Sequence, residues 1–166
     1  GLVEFKTGQG PFVSAPTVDE VLELYDCRLM YEAHAIREGT ERVDDAFLHS
    51  MQQAIRQHEL LFSESDGTYE SRRKVLEADK DFHLLILSLW CNQKATAMYR
   101  QMNVHIRSFQ LAYIPDYRRE TSIGEHHEIY AGLEKRDAET AAASVRHHIV
   151  ASKEGFLKRV RMAGLA

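Results

Sequence analysis

The sequence predicts an all-α fold: an antiparallel bundle of about six helices, preceded by a short β-hairpin. Three observations carry this. Apolar residues recur at helical spacing from Thr17 onward, start and stop signals bracket each helical run, and β-prone residues cluster only in the first fourteen positions. With 166 residues and 44% hydrophobic content, the chain suits one domain with a real core. Three prolines and nine glycines argue against long disorder.

The elements follow in order. Leu2-Val3-Glu4-Phe5 and Pro11-Phe12-Val13-Ser14 are the β-prone runs, joined by the turn-rich Lys6-Thr7-Gly8-Gln9-Gly10. Two such strands are marginal alone, so they read as part of a larger module whose remainder lies upstream. Thr17-Val18-Asp19-Glu20 is a capping box that opens a helix to about Glu38, with Gly39 at its end. A second helix spans about Asp44 to Ser63, striped by Phe47, Met51, Ile55 and Phe62. Asp66-Gly67 marks a turn, and a third helix runs from about Tyr69 to Trp90. Asn92 starts a fourth that ends before Pro115. Ser122-Ile123-Gly124-Glu125 reads as a second capping box, opening a short fifth helix to about Glu134. Asp137 caps a sixth, running to about Met162.

Composition narrows the function. A net charge of -4 argues against this segment gripping nucleic acid by itself, because phosphate binding rests on clustered Lys and Arg. No apolar stretch is long enough for a membrane span, and no secretory h-region is visible. Cys27 and Cys91 form no CxxC pair and read as free thiols of a reducing cytoplasm. HExxH, ExxH, a dinucleotide-binding glycine loop and a hydrolase triad signature are all missing. What stands out is nine histidines.

Their placement is informative. The third helix carries an apolar stripe of Leu76, Phe82, Ile86, Leu87 and Trp90, and Asp79 and His83 lie on or beside it, one turn apart. On the sixth helix His148 falls within the Ala141, Val145, Ile149 and Phe156 face, while His147 points away. On the fifth, His126 has core spacing to Ile129 and Leu133, with His127 as its rival. One carboxylate and three imidazoles thus aim at one interior: Asp79, His83, His126 and His148. Buried unpaired they would be costly. A divalent transition metal resolves this: mixed N/O ligation suits Zn, Ni, Mn or Fe, with Zn or Ni taken first, although affinity order alone does not choose among them. His34, His49, His58 and His105 read as solvated or locally paired.

These residues resemble a family. Asp79-Lys80-Asp81-Phe82-His83, Asn92, Glu125-His126-His127-Glu128-Ile129 and Val145-Arg146-His147-His148-Ile149 are similar to the C-terminal ligand-binding (FCD) domain of the FadR branch of GntR regulators. That resemblance covers roughly residues 18–162, and six helices point to the shorter, VanR-like form. Residues 1–15 resemble the last strand pair, or wing, of the family's winged helix-turn-helix, which leaves 16–166 as the effector- and metal-binding domain. The resemblance implies a metal held by Asp79, His83, His126 and His148, which decides for His126 over His127. It also implies a small organic acid effector beside that metal. Arg28, in an R-x-x-x-E element with Glu32, matches a cavity-facing arginine, and its plain alternative is a salt bridge to Glu32. Asn103 and Arg107, one turn apart on the fourth helix, are further effector-binding candidates.

The function so implied is a ligand-responsive transcription regulator, read as a repressor, that works as a homodimer and reaches operator DNA through a domain outside this segment. No turnover is implied. A metal-dependent enzyme would need an additional general base, which the sequence does not offer. A helical domain with a purely structural metal is the other alternative.

Overall fold

The computed structural model describes residues 3–6, 10–13, 16–113 and 119–165. Six helices build the body: α1 (Val18–Gly39), α2 (Asp45–Ser63), α3 (Tyr69–Ser88), α4 (Gln93–Tyr113), α5 (Arg119–Glu134) and α6 (Ala138–Met162), with a 3-10 turn at Thr40–Arg42 after α1. Local chemistry sets their ends. Thr17 and Glu20 close a full capping box on α1. Asp44, Thr68 and Asp137 cap α2, α3 and α6 through their side-chain oxygens. Asn92 does the same for α4, its Oδ1 accepting from the Ala95 N–H at 3.0 Å. Gly67 takes the left-handed backbone that the turn before α3 requires, at φ 79°.

One boundary differs from expectation. The fifth helix begins at Arg119, so Ser122 and Glu125 are interior residues and form no cap. Both are buried. The segment around Pro115 lies outside the described residues.

A second expectation is corrected. The fold class is all-α, and no strand joins the bundle among the described residues. Val3–Lys6 (β1) and Gly10–Val13 (β2) pair antiparallel, Val3 opposite Val13 and Lys6 opposite Gly10, but this ladder is not the remnant of a winged helix. Among the described residues it pairs with no third strand, and it packs substantially only between its own two strands. A wing needs a sheet and helices to rest on, because two strands bury too little by themselves. The linking residues 7–9, and 14 and 15 after the ladder, lie outside the described residues.

In the bundle α1 packs mainly on α6, α5 on α6 and α2 on α3, with α2 also touching α5 and α1 also touching α3 and α4. The core runs through Tyr25, Ile36, Met51, Ile55, Phe82, Ile86, Tyr99, Ile106, Ile129, Leu133, Val145 and Phe156. Two close approaches set the levels of the helices. A Cβ on Gly132 would come within 2.8 Å of the Ala141 backbone, so α5 and α6 touch main chain to main chain there. Gly39 likewise lies against Leu89, beyond the end of α3. From the first point, His126 is six residues back and His148 seven residues on, about 9 and 10 Å along two antiparallel helices. From the second, Glu32 and His83 are seven and six residues back, about 10 and 9 Å along α1 and α3. Each pair therefore arrives at a common height.

Candidate metal centre

Asp79, His83, His126 and His148 converge in the bundle interior, each offering one donor atom, all within 4.8 Å of one another. The Asp79 Oδ1 lies 3.8 Å from His83 Nε2 and 3.5 Å from His126 Nε2. The three imidazole rings surround one point, with centroids 5.1 Å apart for His83 and His126, 4.9 Å for His83 and His148, and 4.8 Å for His126 and His148. All three histidines are buried, and the Asp79 side chain keeps 21% exposure. His127 and His147 face outward, and His127 bonds Glu59 at the surface.

Each imidazole is held by something behind it. The Nδ1 of His83 donates to Glu32 Oε2 at 2.6 Å, and the Nδ1 of His148 to Glu125 Oε2 at 2.8 Å. A carboxylate only accepts, so both Nδ1 atoms carry the proton and both Nε2 lone pairs are left for the centre. His126 is held instead by stacking on Phe82, ring centroids 4.0 Å apart at 16°.

Glu32 is itself a hub. It is fully buried, and its Oε1 accepts from Arg28 Nε at 2.7 Å and Tyr99 Oη at 2.5 Å. Burial raises its pKa, but His83 and Arg28 outweigh that, and the carboxyl stays ionised far below its ordinary value. Burial above all, and then Glu32, keep the Tyr99 phenol protonated against the pull of Arg28.

The residues fit a divalent ion. The His83 Nε2 and both ring nitrogens of His126 are buried with no hydrogen-bond partner among the described residues. Each such atom costs about 1–3 kcal/mol unless something meets it. The His126 pKa is pushed well below the ordinary histidine range, by burial first and then by His148, His83 and His58. That of His148 is lowered by burial, although Glu125 pulls the other way. Both imidazoles are therefore neutral, as ligation demands. Burial raises the Asp79 pKa, but His83 and Arg28 hold it below the usual range. Donors at about 2.0–2.2 Å from one ion are at most about 4.4 Å apart, so the observed spread closes with shifts of a few tenths of an ångström.

The other sequence candidates are placed as follows. Arg28 is 4% exposed and makes the salt bridge to Glu32, yet its Nη2 is buried without a partner among the described residues. Asn103 is buried beside Tyr99 and hydrogen-bonds it. Arg107 is paired with Glu77 on α3. The sequence reading missed three groups. Glu32 was visible only as the end of the R-x-x-x-E element, and Glu125 was taken for a cap. His58, read as solvated or locally paired, is buried; its spacing to Ile55 and Phe62 was the available signal.

The family model described as the FCD domain matches residues 23–151. The chain is 24% identical over 149 residues to the uncharacterized HTH-type transcriptional regulator YdhC of Bacillus subtilis (strain 168), covering 89% of this chain and 65% of that protein. Among solved structures it resembles McbR/YncC of E. coli, with a TM-score of 0.80 at 16% identity, over 96% of this chain and 78% of that one. A GntR family transcriptional regulator from Pseudomonas syringae pv. tomato str. DC3000 is also similar, with a TM-score of 0.72 at 16% identity, covering 97% and 66%. At these identities the two structures speak for the fold alone. The chain spans about two thirds of the length of the Bacillus and Pseudomonas proteins.

Proposed function

This chain belongs to the FCD domain family, and we propose that its bundle binds a small organic carboxylate beside a divalent metal and relays that event to DNA-binding parts of the same regulator. The family is one of regulatory, not catalytic, domains. Among the described residues no helix is long and apolar enough to cross a membrane.

Asp79, His83, His126 and His148 would hold the ion, with Zn or Ni favoured over Mn or Fe. When bound, such an ion supplies a Lewis-acidic position for an anionic oxygen. The chain's own residues do the rest. Glu32 and Glu125 keep the Nε2 faces of His83 and His148 turned inward. Arg28 offers a buried charge to the carboxylate through its unpartnered Nη2. Asn103 and Arg107 are the further candidates for effector contacts. Because the four side chains come from α3, α5 and α6, occupancy biases the packing of three helices. That bias moves a regulator only as far as the ligand prefers one packing over the other.

The names of the relatives favour transcription regulation. We read the whole protein as a homodimeric repressor of the FadR branch, in its shorter VanR-like form, whose operator affinity changes with effector. The observation that carries the site is the set of four converging donors, three of whose ring nitrogens are buried without a partner.

Native mass spectrometry and elemental analysis test the metal. One ion per chain is expected in the wild type and none in Asp79→Ala or His148→Ala; unchanged metal content in either variant overturns the site. Calorimetry of the metal-loaded protein against small organic acids tests the effector. Failure of every acid to bind refutes the carboxylate reading and leaves a structural metal.

A further inference from the structure

We propose that His58 is a ligand-facing residue of this site, its Nδ1 hydrogen-bonding the same small carboxylate that Arg28 meets. The inference rests on the carboxylate reading above. It starts from position. His58 lies on α2, which packs against α3 and α5, the helices that carry Asp79, His83 and His126. The residue is 3% exposed. Its ring centroid is 5.3 Å from that of His126, tilted by 39°. Asp79 and His148 both act on it electrostatically, so it shares their surroundings.

Its Nδ1 is fully enclosed and has no hydrogen-bond partner among the described residues. An imidazole nitrogen is not left bare in an interior without cost. Nor does His58 belong to the four residues whose donors gather within 4.8 Å, so it stands beside that set and not in it. Arg28 Nη2 is in the same condition, and Arg28 acts electrostatically on Asp79 of the cluster. Both atoms can donate. A cation cannot satisfy the arginine, and an apolar ligand satisfies neither. A small anion with at least two acceptor oxygens satisfies both, as the carboxylate of the reading above would.

The test uses the whole chain loaded with Co(II), whose visible absorption reports on its surroundings, and acetate as probe. His58→Phe is expected to weaken acetate binding by about tenfold or more, the size of a hydrogen bond to a charged group. Co(II) binding should stay at one per chain. His58→Asn, which can present a donor near the Nδ1 position, should restore most of the affinity. Equal acetate affinity in wild type and His58→Phe overturns the proposal and leaves the carboxylate reading standing. Loss of Co(II) in a folded His58→Phe also overturns it, by making His58 a ligand of the ion. If His58→Phe does not fold, the Zn(II)-loaded wild type decides: acetate must shift the His58 Nδ1 resonance in nitrogen-detected NMR, and an unmoved resonance refutes the role. A wild type that binds no acetate at all removes the carboxylate reading and this proposal together.

Discussion

Replacing Glu32 with Gln isolates the buried hub behind the centre. The change keeps shape and volume but removes one charge. The carboxylate now accepts three hydrogen bonds, from Arg28, Tyr99 and His83. A glutamine carbonyl can still serve the Arg28 and Tyr99 donors on one side. Its NH2 then faces His83 Nδ1 with a donor, so His83 must move its proton to Nε2. That proton occupies the lone pair the metal needs. Groups of this kind behind a ligating histidine are worth about 10–100-fold in metal affinity. The Arg28 guanidinium, 4% exposed, also loses its main counter-charge, and breaking a buried pair costs about 3–5 kcal/mol. Asp79 also acts on Arg28 and softens the loss, so about 3 kcal/mol is expected. Urea unfolding of the chelator-treated protein reads the stability, and competition with a chromophoric chelator reads the metal affinity. A variant that unfolds at the wild-type midpoint and binds metal within about twofold of wild type would refute the tautomer argument and the account of Arg28 together.

Other outcomes follow from the same geometry. His126 and His148 have pKa values lowered by burial, so the unfolded chain takes up protons below the ordinary histidine value while the folded one does not. Stability of the metal-free protein should therefore be full above about pH 6.5 and fall as the pH drops below it, by up to about 1.4 kcal/mol per unit for each residue. The slope of unfolding free energy between pH 6.5 and 5 should shrink in His126→Phe; an identical slope counts against burial of a neutral imidazole. Gly132→Ala should cost about 1–3 kcal/mol, because its Cβ meets the Ala141 backbone at 2.8 Å and pushes α5 from α6. Metal affinity should fall with it, since His126 and His148 take their common height from that contact, and an unshifted thermal midpoint would count against the packing. Thr17→Ala removes the α1 cap and should cost about 1 kcal/mol without changing metal binding, measured by the same unfolding and competition assays.

Much of this was determined by the sequence alone, for physical reasons of short range. Helix caps are chemistry between neighbours, so Thr17, Asn92 and Asp137 declared their helices without a tertiary structure. Helical periodicity told inward from outward at His83 and His148, because a residue's face depends only on its spacing from the apolar stripe, whereas His126 was separated from His127 only by the family resemblance. The local signal failed where two meanings shared one pattern. Ser122 and Glu125 have the spacing of a capping box, yet Glu125 lies within α5 and supports His148. The β-prone start likewise read as a wing, but pairing of two strands is local and a winged helix is not. What only the tertiary structure decided is which groups meet across helices. Glu32 behind His83, Glu125 behind His148 and His58 beside His126 join residues 51, 23 and 68 positions apart. No periodicity carries such a pairing: it follows from where Gly39 and Gly132 let the helices touch, and hence from the heights at which side chains of separate helices come level.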